Sequence, residues 1–102
     1  MLKTDIALLK EIVRPIAEKY KLGQIKLFGS RARNDATEKS DYDFFIQSGQ
    51  MKGFFQLGCL FNDLEDALHA SVDIVIEPGK YDKLDEYLIK AIEEDGILLY
   101  ER

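Results

Sequence analysis

Two aspartates separated by a single residue, Asp41 and Asp43, are the side chains of this 102-residue sequence best suited to chemistry. The residues around them are typical of a β-strand, in which successive side chains point to opposite faces. The two carboxylates would therefore share one face, with Tyr42 and Phe44 on the other. Carboxylates held this close repel each other unless a cation lies between them, and oxygen ligands favour magnesium or manganese. The pair predicts a divalent-metal site.

A Gly29-Ser30 pair directly follows an alternating, strand-like segment at residues 24–28. This predicts a tight turn whose backbone N–H groups and hydroxyl could meet phosphate oxygens. Arg31 and Arg33 add positive charge. They are compatible both with a solvated turn face and with nucleotide binding, and Arg31, which is nearer to the turn, is the one expected to bind nucleotide.

A third carboxylate is available in the apolar run at residues 71–76, which predicts a buried strand carrying Asp73. Two-metal phosphoryl chemistry holds the ions roughly 3.5–4 Å apart and needs a further carboxylate on the open side. A strand pairing beside the one that carries Asp41 and Asp43 would supply it. Alone, an Asp-any-Asp pair is more often a surface or capping group than a metal site, and a Gly-Ser pair is a still weaker signal. The prediction therefore depends on their joint occurrence.

This combination resembles the nucleotidyltransferase superfamily that includes DNA polymerase beta, and within it the minimal nucleotidyltransferase (MNT) group. The shared signature is Gly-Ser, ten intervening residues and Asp-any-Asp, with a later strand aspartate matching Asp73. The resemblance extends from the leading helix to the closing segment at residues 95–100. One departure is Asn34, where the Gly-Ser-Arg-Ala-Arg-Gly form of the motif has glycine. Asparagine tolerates left-handed backbone better than most residues, so we expect the turn to survive.

The resemblance implies an α/β nucleotidyltransferase fold, a small mixed β-sheet with helices packed on one face. It also implies transfer of a nucleoside monophosphate, AMP from ATP, to an acceptor hydroxyl, with two Mg²⁺ ions or Mn²⁺ in their place. The expected catalytic and metal-binding residues are Asp41, Asp43 and Asp73, and the expected nucleotide-binding residues are Gly29, Ser30 and Arg31.

The resemblance further implies a protein partner, because the family often forms the antitoxin half of a pair with an all-helical HEPN toxin and adds AMP to a toxin tyrosine. Two alternatives stay open at this point. One is an antitoxin that neutralises its partner by binding alone, and the other is a small-molecule transferase of the aminoglycoside type. Intact Asp41, Asp43 and Asp73 weigh against the first, and the absence of an additional acceptor domain in 102 residues weighs against the second.

The composition of the chain excludes further functions and kinds of site. The chain carries 14 Lys+Arg against 19 Asp+Glu, a net charge of −5, which argues against direct polynucleotide binding. Its length predicts one domain, residues 1–102, small enough for homo- or hetero-oligomer formation to help it. The single cysteine, Cys59, excludes an internal disulfide, and the single histidine, His69, excludes a histidine cluster or triad. The charged N-terminus predicts neither a signal peptide nor a membrane span, so we expect a cytoplasmic protein.

Hydrophobic periodicity predicts the elements that must position these residues. A leading helix is expected to be capped by Thr4, kinked or broken near Arg14 by Pro15, and stopped by Gly23. Amphipathic helices are expected over residues 51–69 and 80–95, with a turn at Pro78-Gly79 before the second. The predicted strands cover residues 24–28, 42–46, 72–77 and 97–100. The phenylalanines predicted to lie in the core are Phe44, Phe45, Phe54, Phe55 and Phe61.

Overall fold

A computed structural model of the protein describes residues 4–77 and 86–102. Its elements, in chain order, are α1 (Ile6–Tyr20), β1 (Gln24–Phe28), α2 (Ser30–Arg33), β2 (Tyr42–Gln47), α3 (Gly53–Leu68), β3 (Val72–Glu77), α4 (Glu86–Asp95) and β4 (Ile97–Glu101).

The four strands form one mixed sheet in the order β3-β2-β1-β4. Strand β1 pairs antiparallel with β2 and β4, whereas β2 and β3 are parallel. Parallel strands need a crossover between them, and α3 supplies it. The two strands predicted to carry the carboxylates are therefore direct neighbours.

The main core lies between one face of the sheet and helices α1 and α3. Its sheet side comes from alternate residues of β1 and β2, such as Leu27 and Phe44, which are fully buried. The helices contribute residues at helical spacing, including Val13 from α1 and Leu60 and Leu64 from α3. Apolar residues alternate along the strands and recur at helical spacing along the helices, so the two apolar surfaces pack together. The opposite face of the strands, which carries the carboxylates, is left outside this core.

A second, smaller cluster lies on the opposite face, where Ile92 of α4 packs on Phe28 and Phe45, with Leu88 and Val75 at its margin. The α/β fold with a mixed sheet is confirmed. The expectation that the helices pack on one face holds for α1 and α3, whereas α4 covers part of the face that carries the carboxylates. Helix α4 therefore borders the site.

The strands are found where periodicity predicted them, with β2 and β4 each one residue longer than expected. Helix α3 is shorter than predicted, and α4 is described from Glu86 onward. The Pro78-Gly79 turn and the start of the predicted 80–95 helix lie outside the described residues. Within the described residues, no helix combines the length and apolar character needed to cross a bilayer.

The cap and the end of α1 differ from the predictions, and the helix is not broken at Pro15. The N-cap is Asp5, whose carboxylate accepts the Leu8 N–H at 3.0 Å, because the Thr4 hydroxyl instead donates to the carbonyl oxygen of Arg31. Pro15 lies inside one continuous helix rather than at a break. The helix ends at Tyr20, and Lys21 caps it in the left-handed conformation (φ 54°), two residues before the expected stop at Gly23.

The prediction that Phe54 and Phe55 belong to the core is also wrong, since they are 91% and 84% exposed. Only Leu60 and Leu64 of α3 are buried, so the apolar stripe of this helix contacts the core along its later turns. The first turn of α3 lies outside that contact.

Candidate active site

The centre of the candidate site is a pair of carboxylates on adjacent strands. Asp43 of β2 is the direct register partner of Asp73 of β3 in the parallel ladder. Neighbouring strands lie about 4.8 Å apart, and paired residues point to the same face. Phe45 and Val75, the next pair along this face, contact the cluster under α4. Both carboxylates therefore project from the α4 side of the sheet.

The environment of Asp43 disfavours its negative charge. Burial raises the pKa of its carboxyl, the nearby charges of Asp73 and Asp41 raise it further, and the Arg33 guanidinium partly offsets these effects. The burial has a visible source, because Phe28, the register partner of Asp43 on β1, is itself buried beneath α4. Like charges beside a desolvated carboxylate are the arrangement that a bound cation relieves.

Asp41 lies immediately before β2 and is exposed to solvent. Its charge raises the pKa of Asp43, as does the charge of Asp73, so both carboxylates lie within electrostatic range of Asp43. Among residues 4–77 and 86–102, however, no three acidic, histidine or cysteine side chains stand close enough to enclose a metal ion. The arrangement is an open, oxygen-only set of donors.

The Gly29-Ser30 turn connects β1 to the short helix α2 and lies beside this carboxylate group. Gly29 has φ 76° and ψ −157°, a conformation available essentially to glycine alone. A Cβ placed on Gly29 would overlap Oδ2 of Asp43 and come within 3.1 Å of its Cγ. The turn and the Asp-any-Asp motif are thus in direct contact.

Asn34 ends α2 in the left-handed conformation, with φ 63° and ψ 30°. Its N–H donates to the carbonyl oxygen of Ser30, and its side-chain Oδ1 accepts the N–H of Thr4 at 3.3 Å. The expected survival of the turn despite the missing glycine is therefore what the structure shows, since asparagine adopts this backbone at little cost.

Arg31, the predicted nucleotide ligand, points away from the carboxylates. Its guanidinium lies 4.1 Å from the ring centroid of Tyr42, and that ring stacks on Phe44 in the main core. Nη2 and Nε also donate to the carbonyl oxygen of Ser40, at 2.8 and 3.3 Å. Arg31 is only 6% exposed, on the side of β2 opposite Asp43.

Arg33 is the arginine that reaches the carboxylate face, and its charge lowers the pKa of Asp43. It is half-exposed and pairs with Asp35 at 3.2 Å and with Asp95 of α4 at 3.5 Å. In the sequence, Arg33 is farther from the Gly29-Ser30 turn than Arg31, which was therefore expected to bind nucleotide. Helical geometry could have indicated that the two arginines differ, because residues two apart on a helix point about 200° apart. Only one of the two arginines can therefore face the site.

The donor chemistry fits a divalent metal. The carboxylate oxygens are hard ligands, burial and then the charges of Asp73 and Asp41 raise the pKa of Asp43, and Gly29 lets the backbone of the turn approach that carboxylate directly. Such an ion, when bound, would polarise a phosphoryl oxygen and neutralise charge developing on the transferred group. Asp41, Asp43 and Asp73 are the residues that would hold it.

The family model for "Polymerase beta, Nucleotidyltransferase" matches residues 10–102. The chain belongs to the polymerase beta nucleotidyltransferase family. It is similar to a Methanocaldococcus jannaschii protein named "Putative protein adenylyltransferase", at 38% identity over 96 residues, covering 90% of this chain and 95% of the relative. The expectation of a nucleotidyltransferase enzyme is confirmed, in a family that generally uses divalent metal ions.

Solved structures agree on the fold. The structure of a protein named "putative minimal nucleotidyltransferase" superposes with a TM-score of 0.70 at 28% identity, covering 92% of this chain and 95% of that one. A toxin–antitoxin crystal structure with AMP-PNP gives 0.72 at 21% identity, with 91% and 73% covered. An MNT antitoxin complex with the tri-AMPylated HEPN toxin of Shewanella oneidensis gives 0.67 at 20%, with 95% and 73% covered. The resemblance to the MNT group is confirmed.

Proposed function

We propose that this protein transfers AMP from ATP, with Mg²⁺, to a tyrosine hydroxyl of a HEPN-domain partner, and acts in this way as an antitoxin. The tyrosine oxygen bonds to the α-phosphorus, the bond between the α- and β-phosphates breaks, and pyrophosphate leaves. The observation that carries the proposal is the register pair of Asp43 and Asp73. The pKa of the Asp43 carboxyl is raised, and this carboxylate contacts the glycine turn. The names of the similar proteins support the reaction and the partner: adenylyltransferase, toxin–antitoxin with AMP-PNP, and AMPylated HEPN toxin.

The proposed roles follow from position. Asp41 and Asp43 hold the metal ions, and the exposed Asp73 completes the set and accepts the proton of the acceptor hydroxyl. A tyrosine hydroxyl has a pKa near 10, so it needs a base or a metal to react at neutral pH. The Asp73 carboxylate is placed at the margin of the sheet face, where a second protein can present such a group.

The triphosphate would lie along the Gly29-Ser30 turn. The first N–H groups of a helix have no intrahelical partners and can bind phosphate oxygens, and glycine lets the phosphates approach the backbone. We propose that Arg33, rather than Arg31, supplies the positive side chain here, because its charge already acts on the carboxylate face. Arg33 would exchange its pairing with Asp35 for a phosphate oxygen.

Mass spectrometry of the partner tests the proposal. The protein is incubated with ATP, Mg²⁺ and the HEPN-type protein encoded beside it, and the partner should gain the mass of AMP on a tyrosine. Asp73→Ala should abolish this gain while the two proteins still bind each other. Asp66→Ala, which removes an exposed carboxylate from α3, is the matched control and should react like the wild type.

Two outcomes would contradict the proposal. Neutralisation of the partner without any mass change, equally by the wild type and Asp73→Ala, would leave binding alone as the mechanism. Transfer of AMP to a small hydroxylated molecule, with none to the protein partner, would identify a small-molecule transferase instead.

A further inference from the structure

We propose that Arg31 is a positioning residue that holds the Asp41–Asp43 segment at the spacing from the Gly29-Ser30 turn that metal binding requires. The inference rests on the proposed function, because it assigns the buried arginine to the assembly of the same metal site. It departs from the sequence-based expectation that Arg31 contacts the nucleotide.

The first observation is the hydrogen bonding of the guanidinium. Nη2 and Nε of Arg31 both donate to the carbonyl oxygen of Ser40, the residue immediately before Asp41. A planar fork with two donors fixes both the distance and the direction of its acceptor. The backbone entering the carboxylate segment is therefore clamped by a side chain from α2.

The second observation is the stacking of the same guanidinium. Its Cζ lies 4.1 Å from the ring centroid of Tyr42, the residue between Asp41 and Asp43. The Tyr42 ring in turn stacks on Phe44 at 6.0 Å between centroids. Arg31 thus contacts one residue before and one residue within the Asp-any-Asp motif, from the face opposite the carboxylates.

The third observation is that the other hydrogen bonds of this loop are mostly local. Apart from the bond between Asn34 and Thr4, they join residues close in sequence, such as Thr37 and Ser40. Between Asn34 and Ser40, Ala36 is the one buried residue, and most of the others are exposed. Ordering such a segment costs conformational entropy that its own contacts must offset. At the other end, Arg31 is itself held, because its carbonyl oxygen accepts the Thr4 hydroxyl at 2.8 Å. Arg31 is the side chain that spans the loop.

Binding of Mn²⁺ alone, without nucleotide, separates positioning from a direct charge effect. Arg31→Lys keeps the charge and loses the fork, and Arg31→Gln loses both. If Arg31 positions the aspartates, both variants should bind Mn²⁺ about 10–100-fold more weakly, the range typical of residues that orient metal ligands. If Arg31 acted through its charge, Arg31→Gln would bind the cation as well as the wild type or more tightly, since a positive charge is removed.

Two further variants keep the test decisive if an Arg31 variant folds poorly. Tyr42→Leu removes the ring beneath the guanidinium and should weaken Mn²⁺ binding several-fold, whereas Tyr42→Phe keeps the ring and should not. Tyr20→Phe is the stability control. It removes the 2.6 Å hydrogen bond between Tyr20 and Asp63, which joins α1 to α3, and should lower Tm without changing Mn²⁺ affinity.

The outcomes distinguish the inference from the function on which it rests. Wild-type protein that binds no Mn²⁺ would overturn the metal-dependent function and the inference together. Wild-type protein that binds Mn²⁺ no better than a folded Arg31→Lys variant would overturn the inference alone. Affinities are read from the free Mn²⁺ signal in electron paramagnetic resonance, at a temperature below every variant's melting point.

Discussion

Gly29 and the carboxylate of Asp43 are in such close contact that no side chain fits between them. This contact joins the two halves of the sequence signature in space. It also explains why position 29 requires glycine, because the φ of 76° and the neighbouring carboxylate each exclude a Cβ.

Gly29→Ala should therefore displace Asp43 or the turn, abolish nucleotide transfer and destabilise the fold by about 1–3 kcal/mol. Gly58→Ala is the control, since a Cβ there meets nothing within 4 Å. In the middle of α3, alanine should stabilise the protein by about 0.5–1 kcal/mol and leave activity unchanged. Urea unfolding and a transfer assay measure both effects. Equal behaviour of the two variants would contradict the proposed contact.

Asp43→Asn should abolish transfer yet raise Tm in metal-free buffer at pH 7. Because folding raises the pKa of Asp43, its ionised form is destabilising above that pKa, and its stabilising contribution is complete only below the ordinary value of 3.8. The Tm advantage of the variant should therefore shrink as the pH falls through the raised pKa. Asp66→Asn controls for net charge. A lower Tm for Asp43→Asn at pH 7 would mark Asp43 as a structural residue.

Arg33→Gln should weaken MgATP binding roughly tenfold, as expected for loss of one charge-assisted hydrogen bond to phosphate. The change in stability should be below about 1 kcal/mol, because its ion pairs with Asp35 and Asp95 are partly solvent-exposed. Arg14→Gln removes the same charge from an exposed position on α1 and should not affect binding. Isothermal titration calorimetry measures the affinity for MgATP. An unaltered affinity in Arg33→Gln would mean that Arg33 is a surface residue with no part in nucleotide binding.

Mg²⁺ and ATP together should raise Tm more than the sum of their separate effects. Three aspartates around a bound metal ion would leave coordination positions open, which triphosphate oxygens could fill. EDTA should cancel the nucleotide's contribution. Should ATP stabilise the protein equally with and without metal, the metal-bridged mode of binding is wrong.

Phe54→Ser and Phe55→Ser should each change the free energy of unfolding by less than about 0.5 kcal/mol, because both rings are exposed. Phe44→Ala, in the fully buried core, should cost about 3–5 kcal/mol. Denaturant titration compares the three. A large loss at Phe54 or Phe55 would restore the core assignment made from the sequence.

Periodicity was sufficient to predict the four strands. The pairing of the Asp73 strand beside the Asp43 strand was expected instead from the need for a third carboxylate, and the structure shows that pairing. Each strand is short and bounded by glycine or polar residues, and the crossover through α3 makes β2 and β3 parallel neighbours. The Asp5 cap was missed because Thr4 and Asp5 are both good capping residues, and only tertiary contact with Arg31 decides between them.

The directions of Arg31 and Arg33 depend on a helical turn of four residues, too short for a hydrophobic pattern to reveal. The exposure of Phe54 depends on where α3 loses contact with the sheet, which an amphipathic pattern does not encode. The predictions for Arg31 and for Phe54 therefore both failed on long-range packing at the end of an element. Such packing is the information that a single sequence carries least directly.

The register pairing of Asp43 with Asp73 has a consequence for biosynthesis. These residues lie far apart in the chain, on parallel strands that meet only after the intervening helix α3 has packed. Non-local parallel pairing is among the slower steps of folding. A ribosome-bound chain that has not yet formed β3 therefore lacks the Asp43–Asp73 pair, and the proposed metal site can assemble only after residues 72–77 have been synthesised.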